Sequence, residues 1–207
     1  GATVNYSAAT ATDAVTASPT VGYSQNSNTT FPLGLTTINV SASDTAGNSS
    51  NCSFTVTVRD TTAPALSCPA NVVAEATSAT GATVTYSAAT ATDAVTAVPS
   101  IGYSKNSNTL FPVGVTTVTV TASDSANNSS NCSFTVTVRD TTAPSVSCPA
   151  NVVAEATAAT GATVSYSAAT ATDTVTASPA IGYSQNSNTT FSLGVTTVTV
   201  TASDVAG

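Results

Sequence analysis

Histidine, methionine and tryptophan do not occur anywhere in this chain. Without an imidazole, the side chain most used as a general base and as a transition-metal ligand is gone. Lys105, Arg59 and Arg139 are the only cations, set against ten carboxylates for a net charge of −7. That balance excludes a nucleic-acid groove, which needs clustered Lys and Arg. Charged residues make up 6% of the chain, where an ordinary globular domain carries roughly 25%. No apolar run approaches the roughly 18 residues of a membrane-spanning helix. There is neither an initiator Met nor a signal peptide, so the chain reads as mature or as a stretch of something longer.

What the chain has instead is Ser, Thr, Asn and a strict internal repeat. Gly1-Ala2-Thr3-Val4 returns as Gly81-Ala82-Thr83-Val84 and as Gly161-Ala162-Thr163-Val164, a period of 81 − 1 = 80 residues. Ser7 to Asp13 returns at Ser87 to Asp93 and at Ser167 to Asp173. Most differences between copies are mild, such as Val21 against Ile101. A fixed period of this length marks an array in which each unit is one small domain. Domains of this size are marginal unless cross-linked or supported by a neighbour.

The phrase Val-Arg-Asp-Thr-Thr-Ala-Pro stands at 58–64 and 138–144 between strand-like runs. A short polar stretch ending in Pro is a good boundary. It divides the chain into a partial unit 1–59, a complete unit 60–139 and a partial unit 140–207.

Alternation with period two dominates, and helical periodicity is absent. Val118, Val120 and Ala122 alternate with Thr119 and Thr121; Cys132, Phe134, Val136 and Val138 alternate with Ser133, Thr135 and Thr137. Ala82 to Ala88 shows the same pattern and reads as one strand, and Ile101 and Tyr103 flank Gly102. Turn-forming clusters at 104–108, 112–114 and 123–131 separate the strands. The expectation is an all-β fold, a two-sheet antiparallel sandwich with one face of each sheet inward and one wet.

The complete unit resembles the hyalin repeat, an immunoglobulin-like extracellular domain. The resemblance lies in Asp60-Thr61-Thr62-Ala63-Pro64, Ser67-Cys68-Pro69-Ala70-Asn71, Phe111-Pro112-Val113-Gly114-Val115-Thr116-Thr117-Val118, Ala122-Ser123-Asp124 and the closing run Asn131 to Asp140. It extends over the 80-residue unit and the three copies. It implies tandem immunoglobulin-like sandwiches in an elongated array, an extracellular or cell-surface location, and no enzyme activity.

Cys52, Cys68, Cys132 and Cys148 allow three pairings. Cys68 shares an inward face with Leu66, and Cys132 with Phe134. In an immunoglobulin-like sandwich the first and last strands run parallel side by side, so the resemblance brings Cys68 to Cys132. Cys52 and Cys68 lie on opposite sides of a boundary, each about eight residues, or roughly 26 Å of extended strand, from Asp60. Cys52 and Cys148 are then expected to pair outside this stretch of chain. Such bonds point to an oxidising compartment. A Cys-based metal site lacks both C-x-x-C spacing and His.

The immunoglobulin-like fold also places the carboxylates. Asp60 and Asp140 stand in the links, Asp93 follows the second strand, and Asp124 sits in the last hairpin loop. Glu75, Asp140, Asp173 and Asp204 are expected to converge at one junction, and Asp60, Asp93 and Asp124 at the one before it. Carboxylates with loop carbonyls suit calcium. The plainer alternative is that each Asp caps its own turn.

Sequons occur at Asn28, Asn48, Asn128 and Asn188, among others. Thr45, Ser125 and Thr174 follow an Asp and precede an aliphatic residue, which resembles a bacterial O-glycosylation pattern; Thr61 and Thr141 fit it loosely.

Nucleophilic catalysis needs an activating base, and the chain has no His and one Lys; a paired-carboxylate hydrolase is the one form left open, though three near-identical active sites in a row would be redundant. The sequence reads as the structural shaft of a surface fibre, filament or adhesin, its partners being neighbouring copies of the same repeat. The alternative is a module binding cell-surface or matrix glycans or a protein. Tyr23, Tyr103 and Tyr183, the aromatics such a site would use, alternate into the core.

Overall fold

Alternation in the chain becomes alternation in burial. In the strand Gly114–Ser123, Val118, Val120 and Ala122 are fully buried while Thr119 faces water. Val136 and Val138 do the same in Ser129–Arg139. A computed structural model describes residues 1–206, and among them there is no helix, only strands of 3 to 11 residues. The chain is a series of antiparallel β-sandwiches, one per repeat.

The middle unit has the full set of strands. One sheet has the order Ser100–Tyr103, Gly114–Ser123, Ser129–Arg139, Val72–Glu75. The central pair is a long antiparallel hairpin in register from Gly114↔Val138 to Ser123↔Ser129. The opposing layer consists of two short pairs, Ala82–Val84 with Thr109–Phe111 and Ala65–Ser67 with Thr90–Thr92. Between the layers lie Phe111, Val118, Val120, Phe134, Val136 and Val138. Each such side chain contributes about 1.5–3 kcal/mol relative to exposure. Tyr86 stands among them, its ring edge-on to Phe134 with centroids 4.8 Å apart. Its hydroxyl donates to the carbonyl of Lys105.

The first apolar stretch is divided between the two layers, and the strand expected over Ala82 to Ala88 is cut short. Ala65–Ser67 pairs antiparallel with Thr90–Thr92, whereas Val72–Glu75 runs parallel to Val136–Arg139. The crossing is made by Cys68-Pro69-Ala70-Asn71. Pro69 has no amide to give a ladder, and Asn71 offers its side-chain Oδ1 to the amide of Thr135 at 2.8 Å, just ahead of the Val72↔Val136 pair. Cys68 therefore lies in the crossover, one residue past the first strand, and the parallel neighbour of the last strand is the second segment. The run from Ala82 likewise stops at Val84 and resumes at Thr90. Tyr86 breaks it: its amide donates to Ser107 Oγ at 2.9 Å while its ring turns into the core.

The other two units keep this plan in part, the third without strands at 152–155 and 194–199. Thr20–Tyr23, Gly34–Ser43 and Ser49–Val58 form one sheet of the first unit, and Ala2–Val4 pairs with Thr29–Phe31 in the other. In the third, Ala180–Tyr183 pairs with Val200–Ser203, Ala162–Val164 with Thr189–Phe191, and Ser145–Ser147 with Thr170–Thr172.

Glycine is required at Gly81. It closes the tight turn from Ser78 at φ 116°, and a Cβ there would stand 1.9 Å from the carbonyl oxygen of Phe111.

Candidate functional site

The chemistry-bearing residues gather where one unit meets the next. Register explains the first of them. The parallel ladder sets Glu75 opposite Arg139, and the amide of Ala76 closes on the carbonyl of Arg139 at 2.9 Å. Glu75 thus ends beside the link that begins at Asp140. Its carboxylate accepts bonds from the Thr141 amide at 2.7 Å, the Thr141 hydroxyl at 2.8 Å and the Thr142 hydroxyl at 3.0 Å. These donors, the Thr141 amide foremost, hold its carboxyl below the usual range. From the far side of the same junction, Val175 packs against the core of the middle unit.

The aspartates form a second arrangement. Oxygens of Asp60, Asp93 and Asp124 lie within 4.8 Å of one another, and those of Asp140, Asp173 and Asp204 do the same. Each trio draws on the link, the loop after a short strand of the outer layer, and a loop at the end of a long strand. The loops shape themselves with the same side chains. Asp93 Oδ1 accepts from the amides of Val95 (2.8 Å) and Thr96 (2.6 Å), and Asp173 Oδ1 from those of Val175 and Thr176. The Thr96 amide, then that of Val95, lowers the Asp93 pKa; the Thr176 amide leads for Asp173. Asp124 Oδ1 accepts from Ala126 and Asn128 amides at 2.8 Å, and its Oδ2 from Asn128 Nδ2 at 2.7 Å.

Glu75 does not join Asp140, Asp173 and Asp204, contrary to the expectation from sequence. It shares their junction, but three donors from Thr141 and Thr142 occupy its oxygens. Thr141 was read only as a glycan acceptor, and neither threonine as a donor at the junction. Their signal was the Thr-Thr pair that both links carry at the same position. Asn128 and Ser130 were missed as link anchors: Asn128 Nδ2 reaches the carbonyl of Asp60 at 3.2 Å and Ser130 Oγ that of Pro64 at 2.6 Å.

Cys68 and Cys132 are joined in a disulfide with Cα atoms 6.0 Å apart, and Cys52 and Cys148 are free and exposed. Tyr103 is half-buried against the core, its hydroxyl accepting the Ala89 amide at 2.7 Å. Tyr23 and Tyr183 hold Ala9 and Ala169 in the same way.

The glycan acceptors are not equivalent. Asn28 and Asn188 are exposed at turns with φ near 61°. The amide nitrogens of Asn48 and Asn128 are instead spent on Asp44 and Asp124. Thr45 contacts Thr16 at 3.2 Å and Ser125 contacts Thr96 at 2.9 Å, both hydroxyl to hydroxyl. The Thr141 hydroxyl is held by Glu75, while Thr61 and Thr174 are exposed.

A tandem run of small β-sandwiches, one stapled by a disulfide, defines a class of extracellular repeat proteins. The chain belongs to the HYR domain family, whose profile matches residues 1–58, 59–138 and 139–207. It is 35% identical over 185 residues to hyalin of Strongylocentrotus purpuratus, covering 86% of this chain and 15% of that protein. Hyalin of Lytechinus variegatus is 30% identical over 186 residues, covering 86% of this chain and 35% of that protein. The serine-rich adhesin for platelets of Staphylococcus aureus (strain MRSA252) is 33% identical over 132 residues, 57% of this chain and 10% of that protein. The chain therefore spans well under half the length of each of these relatives. It is an extracellular or cell-surface repeat protein, and among the described residues no helix is long and apolar enough to cross a membrane.

Proposed function

We propose that these units form the shaft of an extracellular fibre, filament or surface adhesin, a spacer that supplies reach rather than catalysis. The observation that carries this is the junction at Glu75. Three hydrogen bonds tie the link of the next unit to the end of the preceding sandwich, so the link is a held segment and not a free tether. The links at 60–64 and 140–144 are the same residue for residue, and like junctions settle into like geometry. Pro64 and Pro144 restrict Ala63 and Ala143 to extended conformations.

The partners of such a shaft are neighbouring copies of the same repeat. Cys52 and Cys148, at the positions of Cys132 and Cys68 in their own units, would make the same bond with adjoining repeat sequence. Exposed Asn28, Asn188, Thr61 and Thr174 are the acceptors best placed for glycans. A binding module for cell-surface glycans is the competing reading; the half-buried tyrosines favour the shaft.

Electron microscopy of the native assembly tests this. A shaft shows units in file, related by one repeated rotation and a rise of roughly 35–45 Å, from strands of about eight residues with loops and link. Units folded back into a compact globule would refute it and favour the binding module.

A further inference from the structure

The two aspartate trios hold something that turn capping does not account for. Capping explains Oδ1 of Asp93 and Asp124 and both oxygens' bonds to Asn128, and it explains the weak 3.2 Å bond from the Thr62 amide to Asp60 Oδ1. It leaves Asp60 Oδ2 buried with no hydrogen-bond partner. The same oxygen is left in the same state on Asp140, in the other trio. Asp124, beside Asp60, is itself only 7% exposed. A buried carboxylate oxygen is retained when a cation or a donor satisfies it, and no donor among the described residues reaches either one.

The members of a trio are far apart in sequence, separated by 93 − 60 = 33 and 124 − 93 = 31 residues. This is therefore no acidic run that happens to be dense; the fold gathers three like charges from three segments, against their repulsion. It does so twice. All donor atoms are carboxylate oxygens, without thiolate or imidazole, which suits a hard cation. The spread fits as well. Calcium binds oxygen at about 2.3–2.6 Å, so ligands on opposite sides of the ion stand about 4.6–5.2 Å apart. The oxygens of each trio lie within 4.8 Å of one another. Magnesium demands a near-ideal octahedron at about 2.0–2.1 Å and gives up its waters reluctantly, so three carboxylates on three separate loops suit it less well.

We propose that each junction binds one calcium ion, at Asp60, Asp93 and Asp124 and again at Asp140, Asp173 and Asp204, with the buried oxygen of the link aspartate as a ligand in each. The ion joins the link to two loops of the unit that follows, and so sets the angle at which that unit leaves its link. At the second junction Glu75, which grips the same link from the preceding unit, completes the clamp from the other side. Binding itself does not depend on the shaft reading, since a compact arrangement could hold the same two ions.

Calorimetric titration of the whole chain with calcium chloride tests this. The expected result is two ions per chain with Kd on the order of 10⁻⁴–10⁻³ M, the range of extracellular calcium modules, and weaker binding of magnesium. Asp60→Asn and Asp140→Asn should each remove one ion, and together both, with the far-UV circular dichroism of the β-sandwich retained. Should Asp60→Asn fail to fold, Asp93→Asn addresses the same site from an exposed loop. No saturable calcium binding up to about ten times the upper Kd, or two ions still bound by the doubly substituted chain, would overturn the proposal. Magnesium binding as tightly as calcium would overturn the identity of the ion.

Discussion

Glu75 takes the backbone amide of Thr141 at 2.7 Å and its hydroxyl at 2.8 Å, one carboxylate holding both donors of a single residue across a unit boundary. The sandwich positions the acceptor, through the parallel register Arg139↔Glu75. The link supplies the donors. Each is local to its own segment, and the boundary between units is where they meet.

Glu75→Gln should therefore loosen the junction while leaving both sandwiches folded. Small-angle scattering should show a broader distribution of interparticle distances, with unchanged circular dichroism. Acid should do the same. The folded pKa of Glu75 lies below its unfolded value, so its contribution is present above about pH 4.3 and is lost as pH falls through the lower, folded value. A scattering profile of the Gln variant identical to that of the parent chain at neutral pH would remove this role.

Cys68 and Cys132 close a loop with a sequence separation of 64. In the chain-entropy model, opening it costs about 4 kcal/mol, a large share of a small domain's stability. Cys68→Ser with Cys132→Ser should speed hydrogen exchange in the Gly114–Ser123 and Ser129–Arg139 strands, where amides report on global opening of the unit. Exchange in the Gly34–Ser43 strand should change far less. Equal acceleration in both units would mean that the bond stabilises the chain through the junctions instead.

Gly81→Ala should destabilise the middle unit by about 2–4 kcal/mol, combining a left-handed backbone position with a clash against the Phe111 carbonyl. Gly102→Ala is the matched comparison, since nothing lies within 4 Å of a Cβ there; its effect should stay within about 0.5 kcal/mol. Denaturant midpoints of the two variants decide it, and similar values would contradict the close approach at Gly81.

Asn71→Ala removes the acceptor for the Thr135 amide. The expected loss is about 0.5–1.5 kcal/mol, with faster exchange of the Thr135 amide ahead of its neighbours. Asn71→Asp should recover most of it, because a carboxylate accepts the same bond. An Ala variant with unaltered exchange at Thr135 would show that water replaces the side chain at no cost.

Much of the fold was legible because alternation is written residue by residue. Val118, Val120, Phe134, Val136 and Val138 announce their buried face two positions at a time, and the period of 80 residues says how often the sandwich recurs. The breaks were not legible. Leu66 and Val72 carry the same apolar signal, yet one faces Ala91 in one sheet and the other Val136 in the opposite sheet. Pro69 marks a break in the ladder but not a change of sheet, because the change is defined by which distant strand supplies the hydrogen bonds. Tyr86 hides its break in the same way: it alternates correctly with its neighbours but spends its amide on Ser107.

The junction divides along the same line. The sequence by itself determined that carboxylates recur in the links and loops, that the two links match, and that Cys68 and Cys132 face inward. Those are properties of position within a strand or turn, which depend on nearest neighbours. Only the tertiary structure decided that Glu75 grips Thr141 and Thr142 instead of joining the aspartates, and that the oxygens of Asp60, Asp93 and Asp124, whose shared junction the resemblance implied, come within 4.8 Å of one another. Hydrogen bonds and carboxylate contacts act over a few ångströms. Residues some 30 positions apart come within that range only after the two sheets have closed on their core and set the register between them.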